Sequence, residues 1–283
     1  MVSKNTLFLV LVSLLFSCSN KKDGLFDMDN LYPWCIVPFD AKKRTPEARI
    51  QMLSELGFQQ YAYDWRKEHL PEMTREWSLA EDKGIQVRAV YIWIDDRWDK
   101  VGQLNESNEQ LLKNLKLAKL ETQIWVAFHP NFVEGLKDKE ALNKSSKMIY
   151  YLCERASDLN CKIALYNHGD WLGEPLNQIR IIKALPKFDL GLIYNFHHSY
   201  DQVEYYPEFI GEIIPYLWSV NLSGVQKGTK DIIDLGNGDH EKEMLHLLIQ
   251  NGYKNAFGIL GHRRDEDVKE VLKRNLKGLS IIK

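Results

Sequence analysis

The chain has little of what short-motif readings depend on. Its four cysteines include no CxxC pair, so neither a thiol redox motif nor a zinc ribbon is indicated. It contains no GxGxxG and no P-loop, which removes the main support for a nucleotide-binding open sheet. Its formal net charge of −2 leaves no basic field for nucleic acid. Beyond the first twenty residues no segment is long and apolar enough to span a bilayer. What remains is 283 residues, 45% hydrophobic, enough for one large domain with its own core. Eight Trp and thirteen Tyr supply faces that suit stacking on sugar rings, although most aromatics belong to a core.

The N-terminus stands apart. Lys4 precedes an apolar run from Leu7 to Phe16, then Ser17-Cys18. The run is short for a membrane span and reads as a signal-peptide core over residues 1–17. LLFSC resembles the bacterial lipobox, which implies Cys18 as the lipidation site. A secretory signal with an incidental cysteine is the alternative. Residues 18–30 then form a tether, polar from Ser19 to Asp23, and residues 31–283 the domain. The expected location is the bacterial cell envelope, periplasmic or outer-membrane-associated, with the lipid as the sole membrane contact. Cys35, Cys153 and Cys161 read as small buried residues, with a Cys153–Cys161 bridge left open.

Eight strand-then-helix units follow. The strands are 33–39, 58–65, 85–94, 122–128, 162–167, 190–196, 217–222 and 256–261. They are β-branched and aromatic without clean alternation, as parallel strands buried on both faces are. Thr45-Pro46-Glu47 opens a helix with a capping hydroxyl, Pro at the first helical position and an early acid, and Gly57 closes it. Further helices are expected over 143–159, 240–251 and 265–279, with His246 on a solvent face. Such alternation at this length predicts an α/β fold, a (β/α)8 TIM barrel, over a doubly wound sheet. The longer connections 169–175 and 225–239 would lie over the active face, where GNGD (236–239) is a turn signal before it is a clamp.

Five of eight histidines fall at strand ends: His129, His168, His197, His198 and His262. In such a barrel the carboxyl ends of the strands meet on one face, so these imidazoles would converge there. Adjacent strand residues point opposite ways, so only one of His197 and His198 is expected to face the pocket, and His198 is the choice. Structural readings compete for the rest. His129 before Pro130 caps a strand end, Asp64 and Arg66 form a rim ion pair, Asp95 and Asp96 cap the next segment, and Trp93 and Trp171 are core.

YNHGDWLGEP (166–175), IYNFHHSYD (193–201) and GILGHRRDE (259–266) resemble parts of the xylose isomerase-like TIM barrels, the sugar phosphate isomerase/epimerase relatives. The opening stretch 35–65 is similar too. The resemblance implies a divalent metal held by Glu, Asp, His and Glu on strands five to eight. At those positions stand Tyr166, Asn195, Asn221 and the Leu260-Gly261 pair, although His198 matches three residues after the strand-six position. A divalent metal therefore stays open as a cofactor, but its usual carboxylates are missing. Either the histidines with Asp64 or Asp170 form another metal site, or the site is metal-free. We take the metal-free reading, with His168 and His198 as catalytic acid and base. Asp64, Trp93, His129, Asn167, Asn195, Asn221 and His262 are then the substrate-binding candidates. The resemblance implies isomerisation, epimerisation or elimination of a small carbohydrate, beginning with proton removal beside a carbonyl. A non-catalytic carbohydrate-binding lipoprotein and a glycoside hydrolase are the alternatives, the latter needing two flanking carboxylates.

Overall fold

The computed structural model describes residues 24–283. The expected signal peptide, Cys18 and the polar stretch 19–23 lie outside the described residues. Among the described residues, eight parallel strands alternate with helices: β1 Leu31–Trp34, β2 Gln60–Tyr63, β3 Gln86–Ile94, β4 Gln123–Phe128, β5 Lys162–Tyr166, β6 Gly191–Asn195, β7 Leu217–Leu222 and β8 Ala256–Leu260. The α-helices are α1 Pro46–Glu55, α2 Met73–Asp82, α3 Glu106–Ala118, α4 Asp138–Ser157, α5 Asp170–Gly173, α6 Pro175–Ala184, α7 Tyr206–Ile213, α8 Glu241–Gln250 and α9 Val268–Ile282. Ladders join every sequential pair from β2 to β8, and β1 pairs with β8. β1 and β2 lie side by side but share no ladder among the described residues. The fold is a nearly closed (β/α)8 TIM barrel.

Strand side chains alternate between two cores. Leu31, Tyr61, Tyr63, Val90 and Ile92 face the helices, while Tyr32, Trp34, Ala62, Ala89, Trp125 and Tyr166 fill the barrel. The interior is unusually aromatic. Trp34 and Trp125 meet edge to face with centroids 5.1 Å apart. Alanines 62, 89, 127 and 164 make room for the large rings, as close packing requires. Gly258 does so as well: a Cβ there would overlap Asn221 Oδ1 and come within 2.8 Å of the Tyr32 ring.

Helix α1 starts as expected, with Thr45 Oγ1 accepting from the Ala48 N–H at 3.4 Å, and the chain leaves it through Gly57 at φ +81°. Helix α4 starts earlier than expected, at Asp138, because Glu140 accepts from the Lys137 N–H at 3.0 Å. The first strand is shorter than 33–39, because Cys35 takes a left-handed φ of 59° and turns the chain over the barrel mouth. The tether does not extend to residue 30. Leu25, Phe26 and Met28 pack on the core, with Phe26 stacked 5.3 Å from Phe257. All three described cysteines are free and buried, so Cys153 and Cys161 are not bridged.

Candidate active site

The carboxyl end of the barrel encloses a cavity of about 270 Å³. Trp34, Tyr91 and Tyr166 line it from the interior, and Asp64, His168, Asn195, His197, His198 and His262 from the strand ends. Arg66 and Arg264 add cations at its edge. The lining comes from the strands' inner faces and carboxyl ends and from the residues that follow them, which is how distant segments share one pocket in this architecture. The His168 and His198 rings lie 4.4 Å apart, His198 and His197 4.8 Å, and His197 and His262 6.4 Å.

His197 was expected to point away, and it lines the same cavity as His198. The reason is local. β6 ends at Asn195, whose side chain accepts from the His197 N–H at 3.0 Å and starts a 3₁₀ turn over Phe196–Ser199. Strand alternation no longer applies there. A residue-level signal existed: Asn before a polar, histidine-rich stretch is a turn-starting pattern.

Four predicted binding residues, Asn167, Asn221, His129 and Trp93, fall outside the cavity lining. The Asn167 side chain is used between strands, accepting from the Asn195 N–H at 2.6 Å and donating to its carbonyl at 3.2 Å. Asn221 lies deeper in the barrel, where it accepts from the Tyr32 hydroxyl at 2.8 Å. His129 accepts from the Asn131 N–H at 3.1 Å and caps the following turn. Trp93 lines a neighbouring groove, with its ring edge-on to His168 at 4.7 Å. Trp171 sits away from both, donating to Asp138 at 3.0 Å. Arg66 makes no ion pair with Asp64. Its guanidinium donates to the Trp65 carbonyl at 2.7 Å and lies 5.1 Å from the Phe39 ring centre. Asp95 binds Arg97 within its own turn, and the cap of α3 is Asn105 instead. His246 is exposed on α8.

Electrostatics divide the site. Burial pushes the Asp64 carboxyl up to about 6, with Arg66 opposing. Burial, then the neighbouring imidazoles, push His168 down to about 4. Burial pushes His198 well below its ordinary range, and His262 down to about 3. Neither His168 nor His198 therefore titrates near neutrality as expected, because a desolvated imidazole disfavours its charged form. At neutral pH the cavity holds one carboxylate, neutral imidazoles and two guanidinium groups. Two polar atoms in it are buried and unpaired: Asp64 Oδ2 and His168 Nδ1. Asp64 Oδ1 accepts from the Val37 N–H at 3.3 Å, which fixes the carboxylate across the β1–β2 seam.

The donor set does not fit the metal that the resemblance implies. The Tyr166 hydroxyl is bonded to Trp34 Nε1 at 3.0 Å and to the Asn195 amide, and the Asn221 oxygen is taken by Tyr32. None of the three is anionic, as divalent ions require of such sites. No group of three or more His, Cys, Asp or Glu among the described residues has metal-binding placement.

No protein-family model matches the chain, and no curated protein sequence does. Solved structures do. A xylose isomerase domain containing protein from Salmonella typhimurium LT2 is 12% identical, with a TM-score of 0.65 over 90% of this chain and 98% of that one. The 3-keto-D-glucoside 4-epimerase of E. coli is 14% identical, with a TM-score of 0.64 over 90% and 98%. D-Psicose 3-epimerase, in the presence of D-fructose, is 13% identical, with a TM-score of 0.64 over 89% and 96%. At these identities the likeness is one of fold. The chain has the fold of the xylose isomerase-like TIM barrels.

Proposed function

We propose that this chain is a sugar-modifying enzyme that removes a proton beside a sugar carbonyl, as isomerases, epimerases and dehydratases do. The observation that carries the reading is the pair of buried, unpaired atoms on two residues that line one cavity, Asp64 Oδ2 and His168 Nδ1. Buried polar atoms are nearly always paired, so an unpaired acid and imidazole together await a polar ligand. Two of the structural neighbours are epimerases of keto-sugars by description, which supports the same chemistry.

Asp64 is the base in this reading. Its carboxyl, raised to about 6, is ionised at neutral pH yet more basic than an exposed carboxylate. It takes the C–H proton, and the C–H electron pair becomes the C=C bond of an enediolate whose charge rests on the former carbonyl oxygen. His168 and His198, neutral at that pH, donate N–H hydrogen bonds to that oxygen, and Arg66 and Arg264 offset its charge. Returning that proton from Asp64 to the neighbouring carbon, as the hydroxyl proton there passes to the former carbonyl oxygen, gives an isomer; a proton delivered from solvent to the opposite face, with Asp64 keeping the one it took, gives an epimer. The roles of the two histidines thus shift from acid and base to oxyanion stabilisers. We also propose a bacterial-envelope location, with Cys18 as the lipid anchor, on the resemblance of LLFSC to a lipobox.

The test is solvent exchange. Incubated with keto-sugars in D₂O, the protein places deuterium on the carbon beside the carbonyl, and Asp64→Asn and His168→Ala abolish this while remaining folded. Given the donor set, exchange survives chelators. Binding of sugars without exchange across a broad panel supports the carbohydrate-binding alternative instead.

A further inference from the structure

The inner cavity does not end at its own walls. Arg66, Tyr91 and His168 also line a larger groove of about 960 Å³. The inner cavity, about 270 Å³, is at the small end of ligand sites, and the outer groove is at the large end. A single sugar ring that fills the first leaves the second empty.

The walls of the groove are built from aromatic rings held in place. Trp65 donates its indole N–H to the Tyr91 carbonyl at 2.6 Å. Trp93 stands edge-on to His168. Trp98 is 59% exposed, unlike the buried or half-buried tryptophans around it. It is nevertheless ordered from one side. The Arg97 guanidinium lies 4.4 Å from its ring centre, and Arg97 is itself fixed to both oxygens of Asp95 at 3.0 Å. A pre-positioned tryptophan face left open to solvent is a stacking platform. Polar groups border it: Lys67, Glu106 and Ser107. Apolar faces with hydrogen-bonding groups at the edge match a pyranose ring, whose C–H faces are apolar and whose perimeter is hydroxylated.

We propose that the outer groove is a second sugar subsite, so that the substrate is a disaccharide or larger glycoside whose keto ring enters the inner cavity. This rests on the reading of the inner cavity as a sugar site. The second ring lies against Trp65 and Trp98, and His168 stands at the junction of the two.

Binding and turnover separate the two ideas. Tryptophan fluorescence and calorimetry are measured with keto-monosaccharides and with disaccharides carrying the same ring, such as D-fructose against lactulose and isomaltulose. The disaccharides bind about tenfold or more tightly, and Trp98→Ala cuts that advantage to about twofold, the scale of one lost stacking face. Leu117→Ala, exposed near the end of α3, leaves the ratio unchanged. Equal affinity for one and two rings, an unaltered ratio in Trp98→Ala, or no binding of any disaccharide overturns the subsite. Disaccharide preference without deuterium exchange keeps the subsite and refutes the enzymatic reading. Exchange into monosaccharides alone does the reverse.

Discussion

Replacing Asp64 by Asn tests whether this carboxyl is held at a cost to the fold. Burial raises it from an ordinary 3.8 to about 6. At about 1.4 kcal/mol per tenfold, that difference corresponds to about 3 kcal/mol against the ionised form in the folded state. The sign follows from linkage. Folding disfavours the charged group, so the stability present below pH 3.8 is lost as pH rises through about 6. The side chain is only 2% exposed, so solvent screening removes little of this. Asn keeps an oxygen for the Val37 N–H, and any cost of its own unpaired amide is the same at every pH. The stability of Asp64→Asn relative to the native protein should therefore grow by about 2 kcal/mol between pH 4 and pH 8, or about 4 °C in melting temperature for a domain of this size. Thermal and urea unfolding of both proteins at several pH values measure it. A pH-independent difference would refute the argument that Asp64 is buried as a strained carboxylate.

Three further outcomes follow from the same structure. The exchange rate should rise with pH through about 6, as Asp64 ionises, and stay flat to pH 8, because His168 is already neutral above about 4; an inflection near 7 would put a histidine back as base. Gly258→Ala should lower stability by about 2–3 kcal/mol through overpacking against Asn221 and Tyr32, read as a melting-temperature drop without loss of secondary structure. Cys18→Ala should release the protein from membrane fractions, and retention after signal cleavage would count against the lipid anchor.

Strand positions were legible because parallel strands buried on both faces are largely apolar, as in the IALY of β5 and the AFGIL of β8. The convergence of His168, His198 and His262 was legible for a topological reason, since all three follow strand ends. Turn geometry was not. His197 joined the cavity because one Asn side chain ended β6, a contact that strand periodicity does not encode. Asn167 and Asn221 have the composition of binding residues, but backbone and Tyr32 partners across the barrel claim them. The raised carboxyl of Asp64 depended on desolvation, which arises only when β1 and β2 come together around it. Trp65 and Trp98 were hidden among many aromatics, and only the fixed geometry of the first and the exposure of the second set them apart.

The missing ladder between β1 and β2 gives the barrel a parting line. Seven of its eight strand junctions are zipped by backbone hydrogen bonds, and local opening favours the least bonded route. Breathing of the wall therefore concentrates where Cys35 and Asp64 lie, so amide protons of β1 and β2 on that side should exchange ahead of those in β4 to β7. A ligand gripping Asp64 from within would act as the absent stitch, and its arrival would be felt first as slowed hydrogen exchange along this one edge.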